Sequence, residues 1–270
     1  MGSLTRLLRD AKRPGFDWGF SGEVGTRPEW YECACCPPNV IRLVASLGHY
    51  FATANTRLSA PAIQIHQYGS LEMQLDLPGG SAFLRMQTNY PWDGGILIDI
   101  QRVPVGLTWS LELRRPGWAP GHTLSVNGAP IECEPDECGY LRLERDWQPG
   151  DRVELSLPLG PYLVESHPRV DATRGCAAIQ LGPLVYRLEA RDQPSGVNLL
   201  DVAIDLHSPL RTSWHPYELG GVLAVHASGY HLPPSAWQAP GTFAANGAPF
   251  HCENSYLTLP AVYAIMIIIR

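Results

Sequence analysis

Three of the seven cysteines in this chain of 270 residues fall within four positions, Cys33-Ala34-Cys35-Cys36, and Pro37-Pro38-Asn39 follows at once. Zinc takes thiolate ligands, and so tight a cluster can aim two sulfurs at one ion if the backbone turns, which the prolines favour. Beyond them Val40, Leu43, Val44, Leu47, Tyr50 and Phe51 recur at helical spacing, so the pattern predicts an amphipathic helix over 39–53 with proline in its first turn. Cys35 and Cys36 then stand at a helix N-terminus, where partial positive charge lowers a thiol's pKa. One ion needs four ligands, and the cluster supplies two or three with no identifiable fourth. Local chemistry leaves three uses open: a structural zinc knuckle, inert buried thiols, or a reactive thiolate.

Other residues with chemistry to offer carry weaker signals. Cys133 and Cys138 could bridge a hairpin end, but an acidic turn between two strands explains IECEPDECGY as well and is the reading preferred. His49, His66 and His167 stand alone, without HxH or HExxH context, and read as ordinary core or surface residues. Trp30, Trp92, Trp109, Trp118, Trp147, Trp214 and Trp237 permit sugar stacking, although sheet packing is the commoner use of such residues.

The elements that must position these groups change character near residue 58. From there, short runs such as AIQIHQY, SLEMQLDL, SAFLRMQTNY, GILIDIQRV, TWSLELRRP, TLSVNG, YLRLERDW and RVELSLPL alternate with turns such as PGG, PWDGG, NGAP and QPGD. Strands so spaced predict a sandwich. A second β-rich stretch follows from about residue 166, with CAAIQLGPLVYRLEA as its clearest strand pair and VLAVHASGY and YLTLPAVYAIMIIIR as later strands. The expected division is therefore 1–58, with the cysteine loop and helix; 59–165, a β-sandwich; and 166–270, a second β-rich domain.

Composition narrows the function classes. A net charge of -6 offers no basic field for a phosphate backbone, so nucleic acid is not an expected partner. No apolar run reaches membrane-spanning length, and the first fifteen residues lack the apolar core of an export signal. Clustered rather than paired cysteines suit a reducing compartment, and a soluble cytoplasmic protein is expected. A homodimer is compatible with the sequence.

The stretch EWYECACCPPNVIRLVASLGHYF resembles the cysteine motif of glycoside hydrolase family 127, the β-L-arabinofuranosidase type, in which an aromatic pair precedes C-x-C-C-P-P-N and a helix. NYPWDGGILIDI, LRRPGWAPG with SVNG, GYLRLERDWQPGDRVELSLPL and HPRVDATRGCAAIQLGPLVYRLEA continue the likeness in order, over about residues 28 to 192. The resemblance implies a mainly β fold: two β-sandwich-like units preceded by the last helix of an (α/α)6 barrel that is otherwise missing. It implies retaining hydrolysis of an arabinose-containing glycan, with Cys35 as a zinc-bound thiolate nucleophile and Cys36 as a second zinc ligand; Cys33 lies close by. The family completes its zinc site with an upstream Glu-x-Cys pair and takes its acid/base from a still earlier Gly-Glu segment. No cysteine precedes Cys33 here, and Gly22-Glu23 stands too near the cluster to take the acid/base role. The chain is thus expected to be an incomplete form, inactive alone. The competing expectation is a noncatalytic carbohydrate-binding or interaction module with a vestigial cysteine loop.

Overall fold

The computed structural model describes residues 36–57, 59–173, 176–188, 202–217, 221–231 and 256–262. The chain forms two compact units, one spanning Tyr31–Leu159 and the other containing Gly160–Arg270, so they part ahead of the expected break at residue 166.

The first unit opens with α1 (Cys36–Ser46) and a 3-10 turn (Leu47–Tyr50). The expected helix over 39–53 therefore begins earlier and ends sooner. Pro37 and Pro38 cost nothing in a first turn because the N–H groups they lack would be unpaired there. At the other end Gly48 is a poor helix former, and residues 52–55 gain a sheet partner that helical periodicity cannot foresee. They form β1 (Ala52–Asn55), paired with β2 (Ala62–Ile65).

The strands then alternate between two sheets. β3 (Leu71–Leu77), β4 (Gly80–Thr88) and β5 (Gly95–Arg102) are followed by β6 (Trp109–Arg114), β7 (Thr123–Val126), β8 (Ala129–Pro130), β9 (Tyr140–Arg145) and β10 (Arg152–Ser156). One sheet has four strands in the order β1-β2-β6-β9, and the other has six in the order β3-β4-β5-β10-β7-β8. All neighbours are antiparallel except β2 and β6, which run parallel with Ala62 opposite Ser110. Alternation does the sorting: Ile63, Ile65, Leu111, Leu113, Leu141 and Leu143 face inward from the small sheet, against Leu84, Met86, Ile96, Ile98, Val153 and Leu155 of the large one.

Two turns show how sequence fixes register. Asn127-Gly128 closes the β7–β8 hairpin with φ of 52° and 76°, the mirror-image turn that this dipeptide favours. Gly94 accepts a hydrogen bond from Leu157 N at 2.9 Å, and a Cβ at position 94 would overlap the Leu157 carbonyl oxygen. That close approach needs glycine.

In the second unit, β11 (Pro161–Glu165), β12 (Ala177–Leu181) and β13 (Leu184–Tyr186) form an antiparallel sheet. A further sheet contains β14 (Val202–Ile204), β15 (Arg211–His215), β16 (Val222–His231) and β17 (Tyr256–Val262), with β16 pairing all three others. The Tyr186 hydroxyl donates to Leu223 O at 2.7 Å and ties the two sheets together. Burial pushes that phenol up to about 12, so it stays a donor at neutral pH. The molecule is mainly β, as the sequence predicts.

Candidate functional site

Cys36 is the first residue of α1, so the cysteine cluster runs directly into a helix N-terminus. Cys33, Cys35 and Glu23 lie outside the described residues. No acidic residue occupies the first turn of α1. On the polar side of α1, Arg42 Nη1 donates to Asn39 Oδ1 at 3.2 Å and Ser46 Oγ donates to Arg42 O at 2.9 Å. The apolar side faces water: Val40 is 58%, Ile41 68% and Val44 66% exposed.

The helix leads through its 3-10 turn into β1, and there a hydrogen-bonded network begins. Thr53 Oγ1 lies 2.8 Å from His66 Nε2, and Tyr140 OH lies 2.6 Å from His66 Nδ1. Arg114 reaches the carbonyl of His66, and the Tyr68 hydroxyl donates to Arg114 O at 2.5 Å. Alternation puts Gln64, Ser110, Glu112 and Arg142 on the same outer face. Gln64 Nε2 donates to Glu112 Oε2 at 2.6 Å, Arg142 Nη1 stands 3.9 Å from Glu112 Oε1, and Arg142 Nε donates to Ser110 Oγ.

Burial and Arg114 shape the electrostatics at the centre of this network. Burial and the Arg114 guanidinium both hold the His66 pKa below that of a free imidazole. Burial raises the phenols: Tyr90 is pushed up to about 12, and Tyr68 higher still. The raised phenols stay protonated at neutral pH and serve as hydrogen-bond donors. The network anchors β1, and with it the entry from α1. His66 is thus a satisfied residue, as its isolated sequence context predicts, and its partners Thr53 and Tyr140 lie beyond that local context. Their signal is the shared parity along paired strands.

The other candidates resolve individually. Cys133 and Cys138 are free thiols, so no disulfide closes the acidic turn. His49 lies exposed in the 3-10 turn, and His167 Nδ1 accepts from Arg169 N at 3.1 Å. Trp109 and Trp147 are core residues with ring centroids 5.6 Å apart, Trp118 stacks on Tyr90, and Trp92 is half-buried. Trp214 is 51% exposed, whereas Trp30 and Trp237 lie outside the described residues. Among the described residues, no group of three or more His, Cys, Asp or Glu side chains is placed to hold a metal ion. The thiols of the cysteine cluster suit zinc in kind, and Cys36 at a helix start suits a thiolate, but the described residues supply no complete ligand set. No helix among them is long and apolar enough to cross a membrane.

Comparison with known proteins agrees with this geometry. Residues 62–159 match the family model "Beta-L-arabinofuranosidase, GH127 middle domain", and residues 161–221 match "Glycoside hydrolase family 127 C-terminal domain". A non-reducing end β-L-arabinofuranosidase of Bifidobacterium longum subsp. longum is 32% identical over 215 residues, covering 74% of this chain and 30% of its own length. The crystal structure of a GH127 β-L-arabinofuranosidase from Geobacillus stearothermophilus T6 superposes with a TM-score of 0.72 at 32% identity, over 86% of this chain and 35% of that one. A second GH127 β-arabinofuranosidase structure gives 0.68 at 28% identity, over 76% and 34%. The chain thus spans about a third of the length of these relatives. The two family models follow one another along the chain and meet where its two compact units part, and by these middle and C-terminal domains the chain belongs to glycoside hydrolase family 127.

Proposed function

We propose that this chain carries the nucleophile loop and the sandwich domains of a retaining β-L-arabinofuranosidase acting on arabinose-containing glycans. One observation carries the reading: the Cys-x-Cys-Cys-Pro-Pro-Asn run enters a helix at Cys36, immediately ahead of domains whose family models and relatives are arabinofuranosidases. In this reading Cys35 Sγ attacks the anomeric carbon and the leaving oxygen departs with a proton from a general acid. Water then attacks the anomeric carbon, gives its proton back to that same group now acting as base, and displaces the sulfur, restoring the thiolate and the original anomeric configuration. Cys35 and Cys36 would hold a zinc ion, which when bound keeps thiols deprotonated at neutral pH. The helix N-terminus favours the same charge state at Cys36.

The nucleophile alone is a small part of such a catalyst. Positioning a sugar against its attacking group accounts for roughly 7–11 kcal/mol of barrier reduction, and a general acid for a further factor of about a hundred to ten thousand. No residue of this chain is assigned the acid role, and the relatives have about two thirds of their length outside the matched part. Hydrolysis of an aryl β-L-arabinofuranoside is therefore expected to be undetectable with this chain alone. It is expected to appear in a chimera in which residues 28–270 replace the matching part of the Geobacillus enzyme. In that chimera Cys35→Ser should abolish turnover, because an alkoxide is not available at neutral pH, while Cys36→Ser should lower zinc content and be partly rescued by added zinc. Turnover by the chain alone, or an active Cys35→Ser chimera, overturns the assignment.

A second reading, a noncatalytic carbohydrate-binding module, draws on the exposed Trp214. It predicts arabinan binding by this chain and no turnover from the folded chimera.

A further inference from the structure

The second unit holds a side-chain cluster that the proposed chemistry does not use. β15 and β16 pair antiparallel, with Arg211 opposite His226, Ser213 opposite Ala224 and His215 opposite Val222. Opposed residues share a face and alternate residues return to it, so His215, Ser213 and His226 all project to one side of the ladder. Ser213 Oγ lies 2.9 Å from His215 Nε2 and 2.6 Å from His226 Nε2. The two ring centroids are 6.4 Å apart, with an interplanar angle of 33°. A hydroxyl has one proton and two lone pairs, so Ser213 accepts from at least one of the two imidazoles. Both rings therefore aim the same nitrogen at one point from two rigidly paired strands.

That convergence is what a borderline divalent cation requires. With Zn–N distances of ~2.0–2.1 Å, two imidazoles on one tetrahedral ion place their centroids about 5 Å apart. The rings here stand about 1 Å wider, a gap that small side-chain rotations close as the hydroxyl yields the central position. We propose that His215 and His226 form a two-histidine site for a divalent transition-metal ion, with Ser213 Oγ as a weak third donor and water completing the sphere. Two imidazoles and a hydroxyl take Cu²⁺ in preference to Ni²⁺ or Zn²⁺, and select against Mg²⁺ and Ca²⁺, which want carboxylate and carbonyl oxygen. The ion would staple β15 to β16. The site owes nothing to the cysteine loop, so its test is independent of the glycosidase reading.

The test is a Ni²⁺ titration of the whole chain, followed through the imidazole proton resonances, which report each histidine separately from any binding at the thiols. His215 and His226 should broaden together, saturably, and at lower Ni²⁺ than the other seven histidines. His226→Gln should weaken the response of His215 by about tenfold or more, and His215→Gln should do the same to His226, because a single imidazole forfeits the chelate. Ser213→Ala should bind within about threefold of the parent, since the hydroxyl is the weakest donor. Far-UV circular dichroism confirms that each variant is folded, and the two histidine variants report the same coupling from opposite sides. The proposal is overturned if the two histidines respond independently, or no earlier than exposed His49. It also fails if neither folded glutamine variant alters the response of the remaining partner.

Discussion

α1 and the sandwich that follows it belong to one compact unit but place their apolar residues in opposite ways. In the sandwich Ile63, Leu84, Ile98 and Leu111 are completely buried, and each strand sends its polar positions outward. In α1 the residues spaced for burial, Val40, Leu43 and Val44, lie open to solvent. Helical periodicity is a statement that a face will be covered, whereas an alternating strand pattern is satisfied as soon as two sheets meet. The sandwich draws its stability from contacts within residues 52–159. The helix keeps its shape from backbone bonds and short-range polar contacts, with little packing of its own.

The sharpest way to break this contrast is to truncate one side chain in each region. Trp147 is fully buried, and its Nε1 donates to Trp109 O at 3.1 Å. Trp147→Ala should therefore cost about 3–5 kcal/mol, read as a lower urea midpoint. An unchanged midpoint would mean that the sandwich core does not set the stability of this unit.

A smaller effect should come from the network that joins the two regions. Because the folded structure holds His66 below its ordinary pKa, the unfolded chain binds that proton more readily. Stability from this group is present above the unfolded value of about 6.5 and is lost as pH falls below it. Replacing His66 by Gln should flatten the decline of stability between about pH 7 and pH 5. An unaltered slope would remove His66 from the account of how β1 is anchored.

The least effect is expected on the helix. Valine and serine have similar helix propensity, and Val44 is mostly exposed, so Val44→Ser should shift stability by no more than ~0.5 kcal/mol. A loss several times larger would show that the apolar face of α1 is covered in solution.

The strands were legible in the sequence wherever alternation and turn chemistry agreed. SLEMQLDL and SAFLRMQTNY became β3 and β4 about a Pro-Gly turn, RVELSLPL became β10, and CAAIQLGPLVYRLEA became the β12–β13 hairpin. VLAVHASGY became β16, and β17 lies within the last apolar run. β1, β8, β11, β14 and β15 leave no such pattern in the sequence. Each is short, and each takes its form from a partner strand: Thr53 is extended because Gln64 lies opposite it, and Ser213 because Ala224 does. The helix was placed correctly in kind but extended into β1, since period alone cannot see a competing strand. Of the site, the sequence reveals the thiol cluster and a helix following it from residue 39, whereas the helix itself already starts at Cys36. Cys35 stands outside the described residues, and the pairing of His66 with Tyr140, 74 positions apart, depends on strand order rather than on local pattern.

The position of β10 bears on how the protein emerges during synthesis. β10 is the last strand of the sandwich in the chain, yet it lies in the interior of its sheet, between β5 and β7. Until Arg152–Ser156 has left the ribosome, β5 and β7 each present an unpaired inner edge and the large sheet exists as two separate ribbons. The small sheet waits as well, because β2 needs β6 across a separation of 48 residues. Entropy disfavours such closures until the contacts that reward them are available. The nascent sandwich is thus exposed for most of its own translation and closes nearly at once, by insertion of a single strand, as the second unit begins to appear.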